Sequence, residues 1–274
     1  MERTLSGAES KLVLRLEWEK KRIITIDDAA KILKCSRNQT RVIVHRLENK
    51  RWLERLRGGR YLFIPAERGE KGVPTLNPLL VGTLLMRPYY YGYSTSNAYY
   101  GLTTQMRPIL YLATTKPGRV FRWRNNRFRF ITLSKYKFFG FQEVEVHGTK
   151  VKMAEPEKTL VDSVDKMKYA GGIAEVLAVI HNGLKEVERQ KLTNYAVRMR
   201  SHSLIQRLGY LIDVLASEGL TSFPEETRKK LLKHVGNTVI YLDPSREKRG
   251  RLAKAWNIIA NVAENELLSE VQIR

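Results

Sequence analysis

Cysteine is all but missing: Cys35 is the only one in 274 residues. An intramolecular disulfide framework and a multi-cysteine zinc site are thereby excluded, and a reducing, cytoplasmic setting is the expectation. Histidine is sparse as well. His45, His147, His181, His202 and His234 are dispersed, with no pair three or four residues apart to make a helical metal face. There is no GxGxxG or GxxxxGKS phosphate cradle and no GxSxG nucleophile elbow. Long apolar runs are lacking too: the best, "NPLLVGTLLM", is about half of the ~18 to 20 residues of a membrane span. The first residues, "MERTLSGAESKLVLRLEWEKK", are charged throughout, with no stretch of signal-peptide type. No membrane, metal or cofactor is therefore expected. Negative charge is the largest shortage, since 28 Asp and Glu face 49 Lys and Arg and leave a net +21. Such an excess attracts polyanions without regard to sequence, so nucleic acid is the expected partner.

What is present falls into two parts. Residues 1–65 read as three helices and a hairpin. "GAESKLVLRLEWEKKRI" has the apolar spacing of an amphipathic helix through Leu12, Leu16 and Ile23. Thr25 can cap "IDDAAKIL", with Asp27 and Asp28 in its first turn, and after "KCS" Ser36 can cap "RNQTRVIVHRLENK". A helix-turn-helix needs small residues at the crossing, a sharp turn and an apolar inner stripe on its second helix. Ala29 and Ala30, "KCS", and Thr40, Ile43, Val44 and Leu47 supply these in order. Ser36, Arg37, Asn38, Gln39, Arg41 and His45 are then left facing outward, and Arg, Asn and Gln suit the edges of guanine and adenine. "RWLERLRGGRYLFIP" alternates around Gly58 and Gly59 as a hairpin, a wing carrying Arg55, Arg57, Arg60 and Tyr61 toward DNA. The stretch has the form of a winged helix-turn-helix for double-stranded DNA; use of the same fold for protein contact alone is the alternative.

Residues 66–78, rich in Gly, Pro and charge, read as a linker. Residues 79–274 read as an α+β domain. Short β-rich runs between about 108 and 153, parted by turn residues, predict an antiparallel sheet of about five strands, and helices follow from about 156 to 267. In "RVFRWRNNRFRFITL" aromatics alternate with Arg122, Arg124, Arg127 and Arg129. Turning at Asn125 and Asn126, it buries one face and offers the other to phosphate or an acidic protein. Arg246, Lys248, Arg249 and Arg251 form a second basic cluster ahead of a predicted helix through Leu252, Trp256, Ile259 and Val262. "AEPEKTLVDSVD" gathers Glu155, Glu157, Asp162 and Asp165. It reads as an ordinary helix start on Pro156, with a magnesium-dependent nuclease as the alternative.

"YYYGYSTSNAYYG", from Tyr89 to Gly101, holds six of the thirteen tyrosines. With Ser94 or Ser96 as cap and Gly101 as stop, "NAYYGL" is a short helix, and Tyr99 and Tyr100 diverge instead of forming a base-stacking platform. The order of these pieces resembles the AbiEi family of antitoxins and transcriptional regulators from abortive-infection (phage-defence), type IV toxin-antitoxin systems. "YSTSNAYYGLT", "MAEPEKTLVDSVDKMKYAGGIAEVLAVI" and "SHSLIQRLGYLIDVL" carry the likeness; Asn97 and Lys158 depart from residues common there. The resemblance implies a non-enzymatic repressor that binds inverted repeats in its own promoter and counters a nucleotidyltransferase-like toxin encoded beside it. A plain winged-helix regulator without a toxin is the remaining alternative.

Overall fold

The computed structural model describes residues 4–56, 59–68, 77–105, 108–146 and 149–272. Arg57 and His147, and residues 69–76 of the expected linker, lie outside the described residues. The chain divides into two units between Asn77 and Pro78.

In the first unit the order is α1 (Gly7–Trp18), β1 (Ile23–Thr25), α2 (Ile26–Leu33), α3 (Arg37–Asn49), β2 (Leu53–Arg55) and β3 (Arg60–Phe63). The first helix is shorter than its periodicity predicts. Lys20 adopts a left-handed conformation, and the Lys21 N–H turns back to the Leu16 carbonyl at 3.0 Å. Ile23 is therefore in a strand, paired with Leu62. Side-chain caps fix the next two helices. The Asp28 N–H donates to Thr25 Oγ1 at 3.1 Å and the Thr25 N–H to the Asp28 carboxylate at 2.9 Å, while Lys34 closes α2 in the left-handed region. Ser36 and Gln39 repeat the reciprocal cap on α3, at 3.1 and 3.3 Å. Thr40, Val44 and Leu47 face inward from α3 onto Leu12, Leu16 and Ala29. Strand β3 lies between β1 and β2 and is antiparallel to both.

The second unit is mixed α+β. It contains α4 (Pro78–Gly82), β4 (Tyr90–Tyr91), α5 (Ser94–Tyr99), β5 (Ile109–Thr114), β6 (Phe121–Trp123), β7 (Asn126–Thr132), β8 (Phe141–Val146) and β9 (Thr149–Ala154). The helices α6 (Pro156–Asp165), α7 (Ile173–Gly183), α8 (Arg189–Arg198), α9 (His202–Ser217) and α10 (Glu225–Leu232) follow. The chain then runs through β10 (Ile240–Tyr241), β11 (Arg251–Ala253), β12 (Ile258–Ala260) and α11 (Glu264–Gln272).

The main sheet corrects the expected five antiparallel strands. It has six, in the order β6-β7-β5-β4-β9-β8, and the pairs β5·β7 and β4·β9 are parallel. The extra strand is Tyr90–Tyr91, two residues inserted between β5 and β9, too short for any period-2 signal. The parallel pair follows from the crossing after β5, where Gly118 lies against the Phe130 ring so closely that a Cβ would sit 2.7 Å from it. Alternation along a strand reports its faces and not its direction.

The C-terminal segment also departs from expectation. In place of one helix over 246–267, β11 and β12 pair antiparallel, β10 joins β12 in parallel, a single 3-10 turn spans Lys254–Trp256, and the α-helix is confined to Glu264–Gln272. Asn257, in the left-handed conformation, breaks the helical path between Trp256 and Ile258, and both of those residues are buried. Asn261 then ties the segment down by donating to the carbonyls of Asp243 and Glu247 at 2.8 and 2.9 Å. The buried Trp256 fills the space over Gly209 of α9, where a Cβ would lie 2.2 Å from the indole. Among the described residues no helix is long and apolar enough to cross a membrane.

Candidate nucleic-acid interface

On α3 the buried stripe leaves Ser36, Arg37, Asn38, Gln39, Arg41 and His45 exposed. Their surroundings differ. Arg37 spans to Asp27 in the first turn of α2, with Nε 3.0 Å from one carboxylate oxygen and Nη2 3.2 Å from the other. Gln39 Oε1 accepts from both the backbone N–H and the hydroxyl of Ser36, so its carbonyl end belongs to the cap. His45 shares a 3.3 Å contact with Asn49 Nδ2. Asn38 and Arg41 have neither cap nor ion pair among the described residues and stand in solvent at the helix start.

In the hairpin β2·β3, Arg55 is exposed, Arg60 is half-buried and Arg55 pairs across to Tyr61. Tyr61 is the exception to the expected DNA-facing set. It is 8% exposed and packs in the core of the unit, because in β3 Tyr61, Leu62 and Phe63 are all covered, with β1 and β2 on either side.

The second unit presents two basic surfaces. In β6·β7 the turn falls at Arg124 and Asn125, one residue earlier than expected, with Arg124 in the left-handed region. Trp123, Phe128 and Phe130 are buried while Arg122, Arg124, Arg127 and Arg129 are exposed. Arg122 and Arg127 face one another directly across the strands. Arg129 lies over the Tyr169 ring at 5.1 Å. In the C-terminal loop Lys248, Arg249 and Arg251 are exposed. Arg246 is exposed there too, but it is already engaged: its guanidinium grips Glu266 with both terminal nitrogens and lies 3.5 Å from Asp243, which anchors α11.

Sequence reasoning missed the polar centre of this unit, which is built from the tyrosine stretch. Tyr90 is fully buried, and its hydroxyl donates to Asp162 at 2.9 Å and accepts from Lys158 Nζ at 3.1 Å. Lys158 and Asp162, one turn apart on α6 and both 0% exposed, close the triangle as an ion pair. Phe141 stacks on Tyr90 at 5.2 Å and Phe139 lies 5.1 Å from the ammonium. Burial pushes the Lys158 ammonium down and the Asp162 carboxyl and Tyr90 hydroxyl up, since desolvation penalises each charged form. Tyr93 packs edge-on to Tyr111 and Tyr169, and Asn97 Oδ1 accepts from Ser163 Oγ at 3.1 Å. The signal available in sequence was an opposite-charge pair at i and i+4 flanked by Leu160, Val161 and Val164.

The remaining carboxylates of that segment are each engaged by lysine. Asp165 meets Lys137 at 2.8 Å, and Glu155 and Glu157 share Lys191 at 3.1 Å each. Among the described residues no three His, Cys, Asp or Glu side chains converge as a metal site. Helix α5 begins directly after Tyr93, which stands at φ 57°, and the Ser96 hydroxyl donates back to the Tyr93 carbonyl instead of capping. Gly101, at φ 66°, ends the turn, Tyr99 is exposed and Tyr100 donates to the Ala154 carbonyl at 2.8 Å. Tyr89, Tyr90, Tyr91 and Tyr93 belong to the core, and the stretch makes no shared platform.

No curated protein matches the sequence. The crystal structure of the RV2827C protein from Mycobacterium tuberculosis has a similar fold, with a TM-score of 0.72 over 98% of this chain and 96% of that one at 15% identity. Residues 93–214 match the family model described as the AbiEi antitoxin C-terminal domain, a stretch that holds Lys158 and Asp162 and begins just after their partner Tyr90. Over that stretch the chain is similar to the AbiEi antitoxin domain.

Proposed function

We propose that the protein is the antitoxin of a toxin-antitoxin module whose first unit is a winged helix-turn-helix that represses its own operon, while the AbiEi domain counters a nucleotidyltransferase-like toxin. The observation that carries the DNA half is the doubly capped α2-turn-α3, which presents Asn38 and Arg41 in solvent at the start of a helix on a chain of net charge +21. On this reading Asn38 and Arg41 contact base edges. Arg37 reaches DNA only by leaving Asp27, and Gln39 acts mainly as a cap. Arg55 and Arg60 meet phosphates, as would Arg57. Two copies on inverted repeats would match the symmetry of such a site, and Arg122, Arg124, Arg127 and Arg129, with the Lys248–Arg251 loop, offer a further surface to an anionic partner. The reading needs no catalytic group.

The test is a footprint on the DNA upstream of the coding sequence. Asn38→Ala with Arg41→Ala is expected to weaken specific binding at least about thirty-fold, from roughly 1 to 3 kcal/mol per lost base contact. Binding of the unaltered protein to that DNA no tighter than to random DNA would overturn the repressor reading. Growth rescue on co-expression with the neighbouring gene tests the toxin half separately.

A further inference from the structure

Helix α1 has a second apolar face that the fold leaves uncovered. Leu12, Val13 and Leu16 are buried beneath it, yet Leu14 and Trp18, one turn apart on the other side, are 66% and 75% exposed. With half-buried Ile32 from α2 they line a groove of about 700 Å³. A surface helix ordinarily shows one apolar stripe, and a second, beside a groove, marks a contact surface. The rim is cationic: Lys11 and Arg15 stand on α1, Lys31 and Lys34 on and after α2. Glu19 is the one acid lining the groove, and Arg15 Nε already engages it at 2.6 Å. Arg15 also lies over the Trp18 ring at 4.8 Å.

We propose that this groove docks an acidic amphipathic helix of a partner protein, with Leu14, Trp18 and Ile32 taking its apolar side chains and the four cations its carboxylates. Charge selects this occupant. A second copy of the chain would bring two cationic rims together, at a cost in like-charge repulsion. The one-turn spacing of Leu14 and Trp18 suits helix-in-groove anchoring, in which side chains at i, i+3 or i+4, and i+7 fill successive pockets. This contact is separate from the exposed face of α3, so it stands or falls independently of the DNA reading.

The probe is a fluorescein-labelled 16-residue helix-forming peptide with Leu and Phe at i, i+4 and i+7 and Glu or Asp on its flanks, titrated onto the full-length protein by anisotropy. Saturable binding is expected, weakened ten-fold or more by Trp18→Ala or by Leu14→Ala. Lys11→Glu with Lys31→Glu should abolish it. The same peptide with Lys in place of its acids should fail on the unaltered protein and bind this charge-reversed variant. Should Trp18→Ala fail to fold by circular dichroism, the charge-reversal pair carries the test, because those side chains lie on the surface. Absence of saturable binding, or unchanged affinity in Trp18→Ala, would overturn the proposal. So would a dimer in sedimentation that Trp18→Ala dissolves, which would give the groove to a second copy. An oligothymidylate that displaces the peptide and itself needs Trp18 would give it to nucleic acid. Binding to the upstream DNA is expected to be unchanged by Trp18→Ala.

Discussion

The two units use polar residues in opposite ways. In the first, apart from the buried Glu9 and its Lys50 partner, the side chains with hydrogen-bonding chemistry sit at helix starts and on the outer face of α3, above an apolar core. In the second, the richest polar cluster is turned inward, where Lys158, Asp162 and Tyr90 satisfy one another out of reach of solvent. Outward groups hold little of the fold's stability and are available to a partner. Inward groups are available to nothing outside, and the fold depends on their being complete.

The largest expected effect tests the inward half. Lys158→Ala leaves the Asp162 carboxylate buried without its counter-charge, and it should destabilise the chain by about 3 to 5 kcal/mol in urea unfolding. Lys158→Met combined with Asp162→Leu removes both charges and should recover most of that loss, although Tyr90 then lacks its acceptor. If Lys158→Ala proved harmless, the triangle would not be a structural centre and the contrast between the units would collapse.

The next effect tests the outward half. Ser36→Ala removes the cap of α3 and should cost about 1 kcal/mol. Acid should act on the same unit. Burial alone would raise the Asp28 carboxyl, but the Thr25 N–H and hydroxyl and the Lys21 ammonium outweigh it and hold the group below the usual carboxylate range. Glu9 is lowered in the same way: Lys50 and the Ser6 N–H outweigh its burial. A lowered folded-state value means the stabilisation is complete above the unfolded carboxylate range near pH 4 and is lost as pH falls through the folded value. Asp28→Asn should therefore flatten the dependence of unfolding midpoint on pH below about 4, and an unchanged acid limb would show that the cap does not titrate.

These differences explain what could be read from the chain. The caps Thr25 and Ser36, the inner stripe of α3 and the helix start at Pro156 were legible because each is a local pattern whose partners lie within one turn. The three-stranded sheet of the first unit was legible only as a hairpin, since the pairing of Ile23 with Leu62 is long-range. Tyr61 was misplaced because strands covered on both sides do not keep one face outward. The central strand Tyr90–Tyr91 and the Lys158–Asp162–Tyr90 triangle were hidden because their partners are distant in sequence: Tyr91 pairs with Leu112 and Met153, and Tyr90 meets Lys158 and Asp162, 68 and 72 residues further on. At the C-terminus, Trp256 and Val262 kept a helical rhythm, but Asn257 set the backbone instead.

The smallest expected effect concerns the arginines, where the comparison is finest. Arg122 and Arg127 are like charges directly opposite on β6 and β7. Like charges in that position destabilise a sheet, so Arg122→Glu, which converts the pair into an attractive one, should raise stability by about 0.2 to 1 kcal/mol. The same change should weaken any anionic partner of this face and shorten the salt dependence of its binding. A gain in stability with loss of binding would mean the second unit keeps an outward surface at the expense of its own fold. A loss of stability would mean that Arg122 is structural and that the outward chemistry of the chain is confined to the first unit.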